Sequence, residues 1–512
     1  MKQIKSASSL FLLMITLFAY TQVQSQTTYK TDYQEIHRPQ FHFTPPGFWM
    51  NDPNGMVYNK GVYHLFYQHY PESSVWGPMH WAHATSKDLI HWEHKPIALF
   101  PDSLGYIFSG SAVVDVNNTT GFAKNGETPL VAIFTHHDPK GEKEKKVDYQ
   151  NQSLAYSLDD GNTWVKYSGN PVLKNPGIID FRDPKVMWYE KGKKWLMTLA
   201  VKDRISFYSS PDLKTWKKES EFGENAGSHG GVWECPDLFQ LDVNGKPEWV
   251  LLVSINPGGP NGGSATQYFT GDFDGSKFTP HSTETKWVDG GTDNYAGVTW
   301  SNTGKRKVFL GWMSNWQYAN MVPTDPWRSA MTIPRELSLK SIDGAFYLAS
   351  LPVKELNGII LETKKVPDAE VKGSLDLSGH IKTFGGKYIF KFGSDQIADF
   401  SIILSNKRGE EMIVGFDKKT NQYYIDRTKA GKKNFEIGFA KKYSASRVSK
   451  SREMKLTIVV DVASVELFAD DGLSVMTGIF FPNETMSKLS LKAANGIKIN
   501  KVEVSKLDGI WK

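Results

Sequence analysis

The sequence has 512 residues, of which 40% are hydrophobic and 13% aromatic, with 16 Trp and a single Cys. A chain of this size can bury a large core, which excludes a disordered protein and a disulfide-stapled miniprotein, and one Cys excludes an intramolecular disulfide and a Cys-rich metal site. The formal net charge is only +5 and there is no contiguous basic block, so nucleic acid is not expected as a partner.

The N-terminus predicts a signal peptide over residues 1–25. Lys2 and Lys5 precede an apolar run at 10–20, and the segment 23–25 places small residues for cleavage before Gln26. The apolar run is shorter than the roughly 20 residues that span a bilayer, with an uncleaved membrane anchor as the alternative. We therefore expect an exported protein, periplasmic or extracellular, without a membrane anchor.

Residues 38–340 are predicted to form a five-bladed β-propeller. Short aromatic and β-branched runs are separated by turn residues, with hairpins at 56–67 and 186–197. A degenerate turn motif recurs roughly every 50 to 70 residues, at Ser86-x-Asp88, Ser157-x-Asp159, Ser210-x-Asp212 and Gly271–Phe278. Because Ser-x-Asp turns are common in hairpins, chance recurrence is the alternative. Four repeats and an irregular closing segment at 295–337 predict five blades.

The composition changes after residue 340, where all but one of the Trp residues have passed. We predict a linker at 341–365, with a single helical turn within 351–358. Residues 366–512 are predicted to form a β-sandwich, because short alternating runs separated by turns lie at 388–392, 400–404, 412–416, 456–460, 465–468 and 497–504.

Three carboxylates lie in aromatic, Gly-rich or Pro-rich surroundings: Asp52 in Trp49-Met-Asn-Asp-Pro-Asn-Gly55, Asp183 in Phe181-Arg-Asp-Pro184, and Glu234 in Trp233-Glu-Cys-Pro-Asp237. Each alone could simply cap backbone N–H groups in a turn. A propeller, however, brings the inner strands of successive blades to one central funnel, where distant carboxylates can meet. Cleavage of a glycosidic bond needs one ionised and one protonated carboxyl group, so the three acids predict a glycosidase.

The Trp residues supply candidate walls for a sugar pocket, since an indole offers an apolar face and a polar edge. We expect this role for Trp49, Trp76, Trp81, Trp233 and Trp316, and packing between blades for many of the others.

The sequence resembles glycoside hydrolase family 32, the invertases, inulinases and levanases that act on β-fructofuranosides. The three acid motifs match, in order, the defining motifs of that family, and the resemblance covers essentially the whole mature chain. Supporting matches lie at Gln68, Trp76, Phe108–Ser111, Gly291–Tyr295, Trp312–Trp316 and Asp461–Phe468. The resemblance implies a five-bladed propeller followed by a β-sandwich, in agreement with the repeats and the composition.

The resemblance also implies roles: Asp52 as nucleophile, Glu234 as general acid and then base, and Asp183 as transition-state stabiliser. The reaction expected is release of terminal fructose from levan, inulin or sucrose by double displacement with retention, which requires Asp52 and Glu234 carboxyl groups about 5 to 5.5 Å apart. The substrate-binding residues expected are Trp49, Asn51, Gln68, Trp76, Phe108, Ser109, Arg182, Tyr295 and Trp316. No cofactor is implied.

Neighbouring side chains set further expectations. Trp233 and Cys235 predict an apolar setting that keeps Glu234 protonated, and Arg182 is a candidate cation beside Asp183, although strand alternation could turn it elsewhere. Cys235 is expected to pack, with tuning of Glu234 as the alternative. His64, His69, His80, His83, His136 and His137 lack a matching set of carboxylates, so no metal site is expected.

Several alternatives stay open at this point. An endo-acting levanase or inulinase would need a groove open at both ends, and a transfructosylase would differ in how water competes with an acceptor sugar. Arabinosidases and xylosidases with five blades also use three acids but invert configuration. A carbohydrate-binding propeller without catalysis is the alternative outside enzymes.

Overall fold

The computed structural model describes residues 30–382 and 384–511, so the predicted signal peptide lies outside the described residues. The first two thirds of this part form five sheets in chain order. Their strands are β1 (Phe48–Asn59), β2 (Val62–Tyr70), β3 (His80–Ser86), β4 (Trp92–Leu99); β5 (Tyr106–Val114), β6 (Leu130–His137), β7 (Gln150–Ser157), β8 (Val165–Lys166); β9 (Phe181–Tyr189), β10 (Lys194–Val201), β11 (Arg204–Ser210), β12 (Lys217–Phe222); β13 (Val232–Val243), β14 (Lys246–Asn256), β15 (Ala265–Phe273), β16 (Phe278–Pro280), β17 (Lys286–Trp287); β18 (Tyr295–Thr299), β19 (Val308–Trp312), β21 (Arg335–Ile342) and β22 (Ala345–Pro352). A further strand, β20 (Trp327–Arg328), belongs to the first sheet.

The first strands of these sheets contact one another in a ring, in the order β1, β5, β9, β13, β18 and back to β1. Strand β20 closes the ring by pairing in parallel with β1, where Phe48 faces Trp327. Neighbouring sheets cover both faces of a strand in such an arrangement, which is why β6 is buried along its whole length. The region is a β-propeller.

The hairpins and the turn repeat are confirmed. The first hairpin turns at Lys60 and Gly61, and the second turns through a short 3-10 helix at Glu190–Gly192. The Ser-x-Asp motifs end β3, β7 and β11, and in each the Ser hydroxyl contacts the Asp carboxylate, which also accepts backbone N–H groups of the turn. Asp274 caps the corresponding turn after β15. The repeat therefore marks the same position in four successive sheets.

The segment 341–365, expected to be a linker, is mostly strand. β22 completes the fifth sheet, a 3-10 turn covers Lys354–Ile359, and the following strand already belongs to the sandwich. Two six-stranded sheets form that sandwich. Its strands are β23 (Ile360–Val366), β24 (Ala369–Asp376), β25 (Tyr388–Ser394), β26 (Phe400–Ser405), β27 (Glu411–Asp417), β28 (Gln422–Lys429), β29 (Lys442–Ser446), β30 (Met454–Asp461), β31 (Ser464–Ala469), β32 (Ser474–Ile479), β33 (Lys488–Ile499) and β34 (Lys501–Leu507). The strand orders are β23-β34-β25-β30-β31-β32 and β24-β33-β26-β27-β28-β29.

One predicted sandwich strand is corrected. The run 497–504 is not a single strand: β33 ends at Ile499, β34 begins at Lys501, and Asn500 lies between them. The buried apolar positions shift in phase across Asn500, from Ile497 and Ile499 to Val502 and Val504, and this shift marks the break. Two short α-helices complete the elements, α1 (Pro139–Lys143) and α2 (Ser378–Ile381).

An apolar cluster joins the propeller to the sandwich. Trp49 and Trp312 of the inner propeller strands belong to the same buried cluster as Val459, Phe468 and Leu507 of the sandwich. The sandwich has a second core of its own, between its two sheets. The two units are therefore packed together through shared buried surface, in addition to the chain connection.

Candidate active site

Bulges in the ring of first strands set the position of the candidate site residues. In each of the five first strands, one extra residue interrupts the pairing with the second strand. Asp52, Ser109 and Asp183 lie in three of these bulges, and Glu234 and Tyr295 come directly before the other two. A bulge re-aims side chains at the end of a strand. Five equivalent irregularities therefore turn polar groups toward the same end of the ring.

The bulges in β9 and β13 each contain a residue with a positive φ angle. Asp183 has φ of 64° and Cys235 has φ of 45°, in the left-handed region that non-glycine residues seldom adopt. The Asp183 N–H donates to Thr135 Oγ1 at 3.0 Å, and the Cys235 N–H donates to Asp183 Oδ2 at 3.1 Å. These bonds hold the strained backbone in place and aim the Asp183 carboxylate at the centre of the ring.

Asp52, Ser109, Asp183 and Glu234 line a cavity of about 240 Å³. It brings together most of the residues that the sequence predicts. They are Asn51, Asp52, Gln68, Trp76, Phe108, Ser109, Arg182, Asp183, Glu234 and Trp316.

Asp52 lies with one oxygen held and one free. Its Oδ2 accepts a hydrogen bond from the Ser109 hydroxyl at 2.7 Å and lies 3.8 Å from the Cys235 thiol. Its Oδ1 is buried and has no hydrogen-bond partner among the described residues. Burial, with the nearby Glu234 charge, raises the pKa of Asp52 to about 6, while the Ser109 hydroxyl opposes the rise.

Asp183 is the more deeply buried acid. Besides the Cys235 N–H, it has the Cys235 thiol at 3.7 Å and the Arg182 Nε at 4.0 Å. Burial raises the pKa of Asp183 to about 7, against the lowering effect of the Arg182 cation. Burial also raises the pKa of the Cys235 thiol, so it stays protonated and acts as a weak donor between the two acids. Cys235 thus contacts Asp52 and Asp183 rather than only packing.

Glu234 lies in a polar setting, which corrects the expectation of an apolar one. Its Oε1 accepts from Arg182 Nη2 at 2.9 Å, its Oε2 accepts from the Tyr295 hydroxyl, and 19% of its side chain is exposed. Side chains alternate along a strand, so Trp233 faces the core between sheets and not the cavity. Arg182 is likewise turned mainly to Glu234 and Asp180.

Two predicted substrate-binding residues lie behind the cavity. Trp49 is fully buried; its indole N–H donates to Asn51 Oδ1 at 2.7 Å and its ring stacks on Trp316. Tyr295 is also buried and reaches the site only through Glu234. Of the five Trp residues predicted as pocket walls, Trp76 and Trp316 line the cavity, whereas Trp49, Trp81 and Trp233 are core residues.

Sequence reasoning missed one wall of the cavity. His137, Glu142, Tyr149, Gln150 and Asp180 line it. Glu142 and Tyr149 lie on the connection between β6 and β7 that contains α1, while His137 ends β6 and Gln150 begins β7. His137 Nε2 pairs with Glu142 at 3.1 Å, and its ring stacks on Phe108. Asp180 could have been found from its position two residues before Arg182. The others carry no motif that marks them.

Comparison with known proteins establishes the family. The model for the glycosyl hydrolases family 32 N-terminal domain matches residues 42–350, and the model for the family 32 C terminal matches residues 357–508. The chain belongs to glycosyl hydrolase family 32. The earlier resemblance is confirmed, and the two matches coincide with the propeller and the sandwich.

Similar proteins in family 32 include enzymes that act on fructans. A levanase of Bacillus subtilis is 47% identical over 525 residues, covering 100% of this chain and 76% of that protein. An extracellular exo-inulinase of Aspergillus niger is 39% identical over 518 residues, covering 94% and 96%.

Solved structures of the family share the fold. The exo-inulinase of Aspergillus awamori has a TM-score of 0.86 at 37% identity, covering 94% of this chain and 100% of that chain. The β-fructofuranosidase of Schwanniomyces occidentalis, complexed with fructosyl-erythritol, has a TM-score of 0.84 at 33% identity, covering 93% and 99%.

No helix in the described part of the chain has the length and hydropathy needed to cross a bilayer. Across residues 30–382 and 384–511, no group of three or more His, Cys, Asp or Glu side chains is placed to hold a metal ion.

Proposed function

We propose that this family 32 glycosidase is an exo-acting β-fructosidase that releases terminal fructose from levan, inulin and sucrose with retained configuration. The chain hydrolyses fructosides as its levanase, exo-inulinase and invertase relatives do. The observation that carries the catalytic proposal is the pairing of a free, buried Asp52 Oδ1 with a doubly held Glu234 at the same cavity.

Asp52 is the proposed nucleophile. Ser109 fixes its Oδ2, which leaves Oδ1 as the oxygen able to attack C2 of a fructosyl unit. The attack breaks the bond from C2 to the leaving oxygen and forms a covalent fructosyl–Asp52 ester through an oxocarbenium-like transition state. Attack does not require a protein donor to be removed from Oδ1 first.

Glu234 is the proposed general acid and base. Arg182 and Tyr295 hold its two oxygens, so the carboxyl group has one orientation beside the cavity. In the first step it protonates the leaving oxygen, and in the second it takes a proton from the water that attacks C2 and releases fructose. In both steps Glu234 acts on the face of the sugar opposite Asp52, as retention requires.

Asp183 is the proposed transition-state stabiliser. It lies at the floor of the cavity, where its carboxylate can accept hydrogen bonds from fructose hydroxyls. Gln68 adds a donor, because its Nε2 is buried at the cavity without a partner among the described residues. A hydroxylated ligand would satisfy both groups, which is the chemistry of a sugar ring.

The shape of the cavity favours exo action over endo action. Asp52 and Asp183 lie at a buried floor backed by Cys235, while Trp76, 38% exposed, stands at the rim. A pocket with a closed floor admits the end of a chain, whereas a groove would let a chain pass through. The terminal fructosyl unit therefore enters the cavity first.

We also propose the number of propeller blades and the boundary between the two domains. The ring of five first strands supports five blades, with the propeller ending at β22 and the sandwich beginning at β23. The extracellular relatives support export to the periplasm or the extracellular space after removal of residues 1–25.

The test combines acid variants with product analysis. Asp52→Asn and Glu234→Gln should each lower kcat for sucrose by at least about a hundredfold, since covalent and acid–base catalysis each contribute on that scale, without changing thermal unfolding much. Asp203→Asn, which alters an exposed acid paired with His229, is the matched control. Early products from levan and inulin should be fructose alone. Wild-type turnover by Asp52→Asn would refute the assignment, and an early ladder of oligosaccharides would refute exo action.

A further inference from the structure

A segment at residues 289–295 connects the sandwich to Glu234. It lies between β17 and β18 and ends at Tyr295, whose hydroxyl donates to Glu234. Its backbone runs along β32: the N–H of Gly290 donates to Val475 O at 2.8 Å, and that of Thr292 donates to Thr477 O at 3.2 Å. The approach is so close that a Cβ on Gly291 would lie 2.2 Å from Thr477 O. The propeller segment is thus seated on a sandwich strand.

Two buried carboxylates fasten this segment, each to an arginine. Asp289 accepts from Arg335 Nη1 at 2.8 Å and from the Thr477 hydroxyl at 2.6 Å. Asp293 accepts from Arg427 Nη1 at 2.7 Å and from the Ile479 N–H at 3.0 Å. Buried ion pairs of this kind hold one geometry when every donor and acceptor is satisfied.

Arg427 belongs to the sandwich, on β28, and each of its three nitrogens donates to a partner. Its Nε donates to Phe439 O at 2.6 Å, its Nη1 also donates to Ile479 O at 3.0 Å, and its Nη2 donates to the Tyr318 hydroxyl at 3.0 Å. Tyr318 in turn donates to Asp293. The guanidinium also lies 3.9 Å from the centre of the Phe439 ring. A planar fork held on several sides can fix the direction of the Asp293 carboxylate, which an ammonium cannot do.

We propose that Arg427 is a positioning residue for the acid/base: through Asp293 it holds segment 289–295 so that the Tyr295 hydroxyl meets Glu234. The sandwich is then a working part of the active site of the propeller, although none of its described residues lines the cavity. The inference rests on the proposed role of Glu234 as general acid. Its consequence is specific: loss of the Arg427 fork should harm protonation of the leaving group more than attack by Asp52.

The experiment compares two substrates in one variant. Cleavage of sucrose needs a proton on the leaving oxygen. In β-fructofuranosyl fluoride the leaving group is the fluoride ion, which departs with little protonation. Arg427→Lys keeps the charge but loses the fork. We expect kcat/KM for sucrose, which reports the first step, to fall by about tenfold or more, a part of the general-acid contribution, with less than about threefold loss of kcat/KM on the fluoride. Tyr318→Phe, which keeps both charges paired, should show the same selectivity at smaller size.

Arg447→Lys is the matched control. Arg447 is a buried sandwich arginine, paired with Asp470, that has no contact with segment 289–295 in the described contacts. Its variant should leave the ratio of the two activities unchanged. All variants are measured at a temperature where circular dichroism shows them folded. If Arg427→Lys does not fold, Tyr318→Phe provides the test.

Glu234→Gln separates the two proposals. It should lose sucrose hydrolysis and retain kcat/KM for the fluoride, which reports only the first step, whereas kcat falls because the second step still needs the base. If it behaves so while Arg427→Lys and Tyr318→Phe keep the wild-type ratio, or lose both activities equally, the role of Arg427 is overturned alone. If Glu234→Gln still hydrolyses sucrose, the assignment of the acid fails and the role of Arg427 fails with it.

Discussion

At the scale of single residues, burial of Asp52 and Asp183 sets the acid side of the pH profile. Asp52 has to be ionised to attack, and burial raises its pKa to about 6, with Asp183 at about 7. Both acids lose their charge as the pH falls through these values. We therefore expect kcat/KM to fall between about pH 7 and pH 5, well above the usual range of an aspartate.

Ser109→Ala should move this acid limb further up. The variant removes the donor to Asp52 Oδ2 and so makes the ionised form less stable, by about one pH unit for a hydrogen bond to a charged group. The measurement is the pH profile of kcat/KM on sucrose. Ser209→Ala, which removes a similar bond to Glu219 outside the cavity, should leave the profile unchanged. An acid limb that stays in place in Ser109→Ala would contradict the account.

The site residues could be predicted from the sequence where they lie in a distinctive motif. The three acids stand in distinctive turn sequences, and all three reach the same cavity. The Trp residues were not readable in this way, because an indole suits both a sugar face and a core. Trp49 and Trp316 stack on each other, yet only Trp316 faces the cavity. Which side of a strand faces the funnel depends on the bulges, and these have no sequence signal of their own.

At the scale of elements, the contact between segment 289–295 and β32 should be sensitive to one methyl group. A Cβ on Gly291 would meet the Thr477 backbone at 2.2 Å and 2.3 Å, and neither backbone atom can move away easily. Gly291→Ala should lower the free energy of unfolding by about 1 to 3 kcal/mol, as overpacking does, and lower activity on sucrose as well.

Urea unfolding followed by circular dichroism, together with kcat for sucrose, gives the comparison. Gly358→Ala is the matched control, because a Cβ there would meet nothing within 4 Å and the residue lies outside the segment. Equal stability and activity in Gly291→Ala and Gly358→Ala would show that the segment is not held tightly against the sandwich.

The strands were predictable to different degrees. Five of the six runs predicted in the sandwich match a strand to within two residues at each end, whereas β23, β24, β28, β29 and β32 were not predicted. Propeller strands buried on both faces, such as β6, show little alternation and could be recognised only from the turn repeat. The linker was placed too widely because β22 and β23 carry exposed, Lys-rich or small residues typical of a connection.

At the scale of the whole molecule, a buried polar network joins the propeller to the sandwich. His42, before β1, contacts Asp461 through Nδ1 and Glu466 through Nε2, each at 2.8 Å, and Glu466 continues to Arg335. Despite burial, the two carboxylates raise the pKa of His42 to about 9. Asp461 and Glu466 lie in the segment Asp461–Phe468 that the sequence singled out, but their pairing with His42, more than 400 residues away, has no local signal and could not be predicted.

The network predicts a loss of stability in alkali. A histidine whose pKa is raised by folding stabilises the protein fully below its unfolded pKa, about 6.5, and loses that contribution as the pH rises through about 9. The loss amounts to about 3 kcal/mol. His42→Gln should therefore be less stable than the wild type at pH 6, and the difference should shrink at pH 9.5.

The measurement is urea unfolding at the two pH values. His91→Gln is the control, because His91 pairs with Asp88 at the surface and should change stability little at either pH. A His42→Gln difference that is the same at pH 6 and pH 9.5 would contradict a protonated His42 in the native network.

The most direct test of the account is the configuration of the product formed with methanol. Methanol can replace water in the second step, and the resulting methyl fructofuranoside does not equilibrate between anomers as free fructose does. Double displacement by Asp52 and Glu234 predicts methyl β-fructofuranoside from sucrose, identified by carbon NMR. Methyl α-fructofuranoside as the product would show inversion and contradict the roles assigned to both acids.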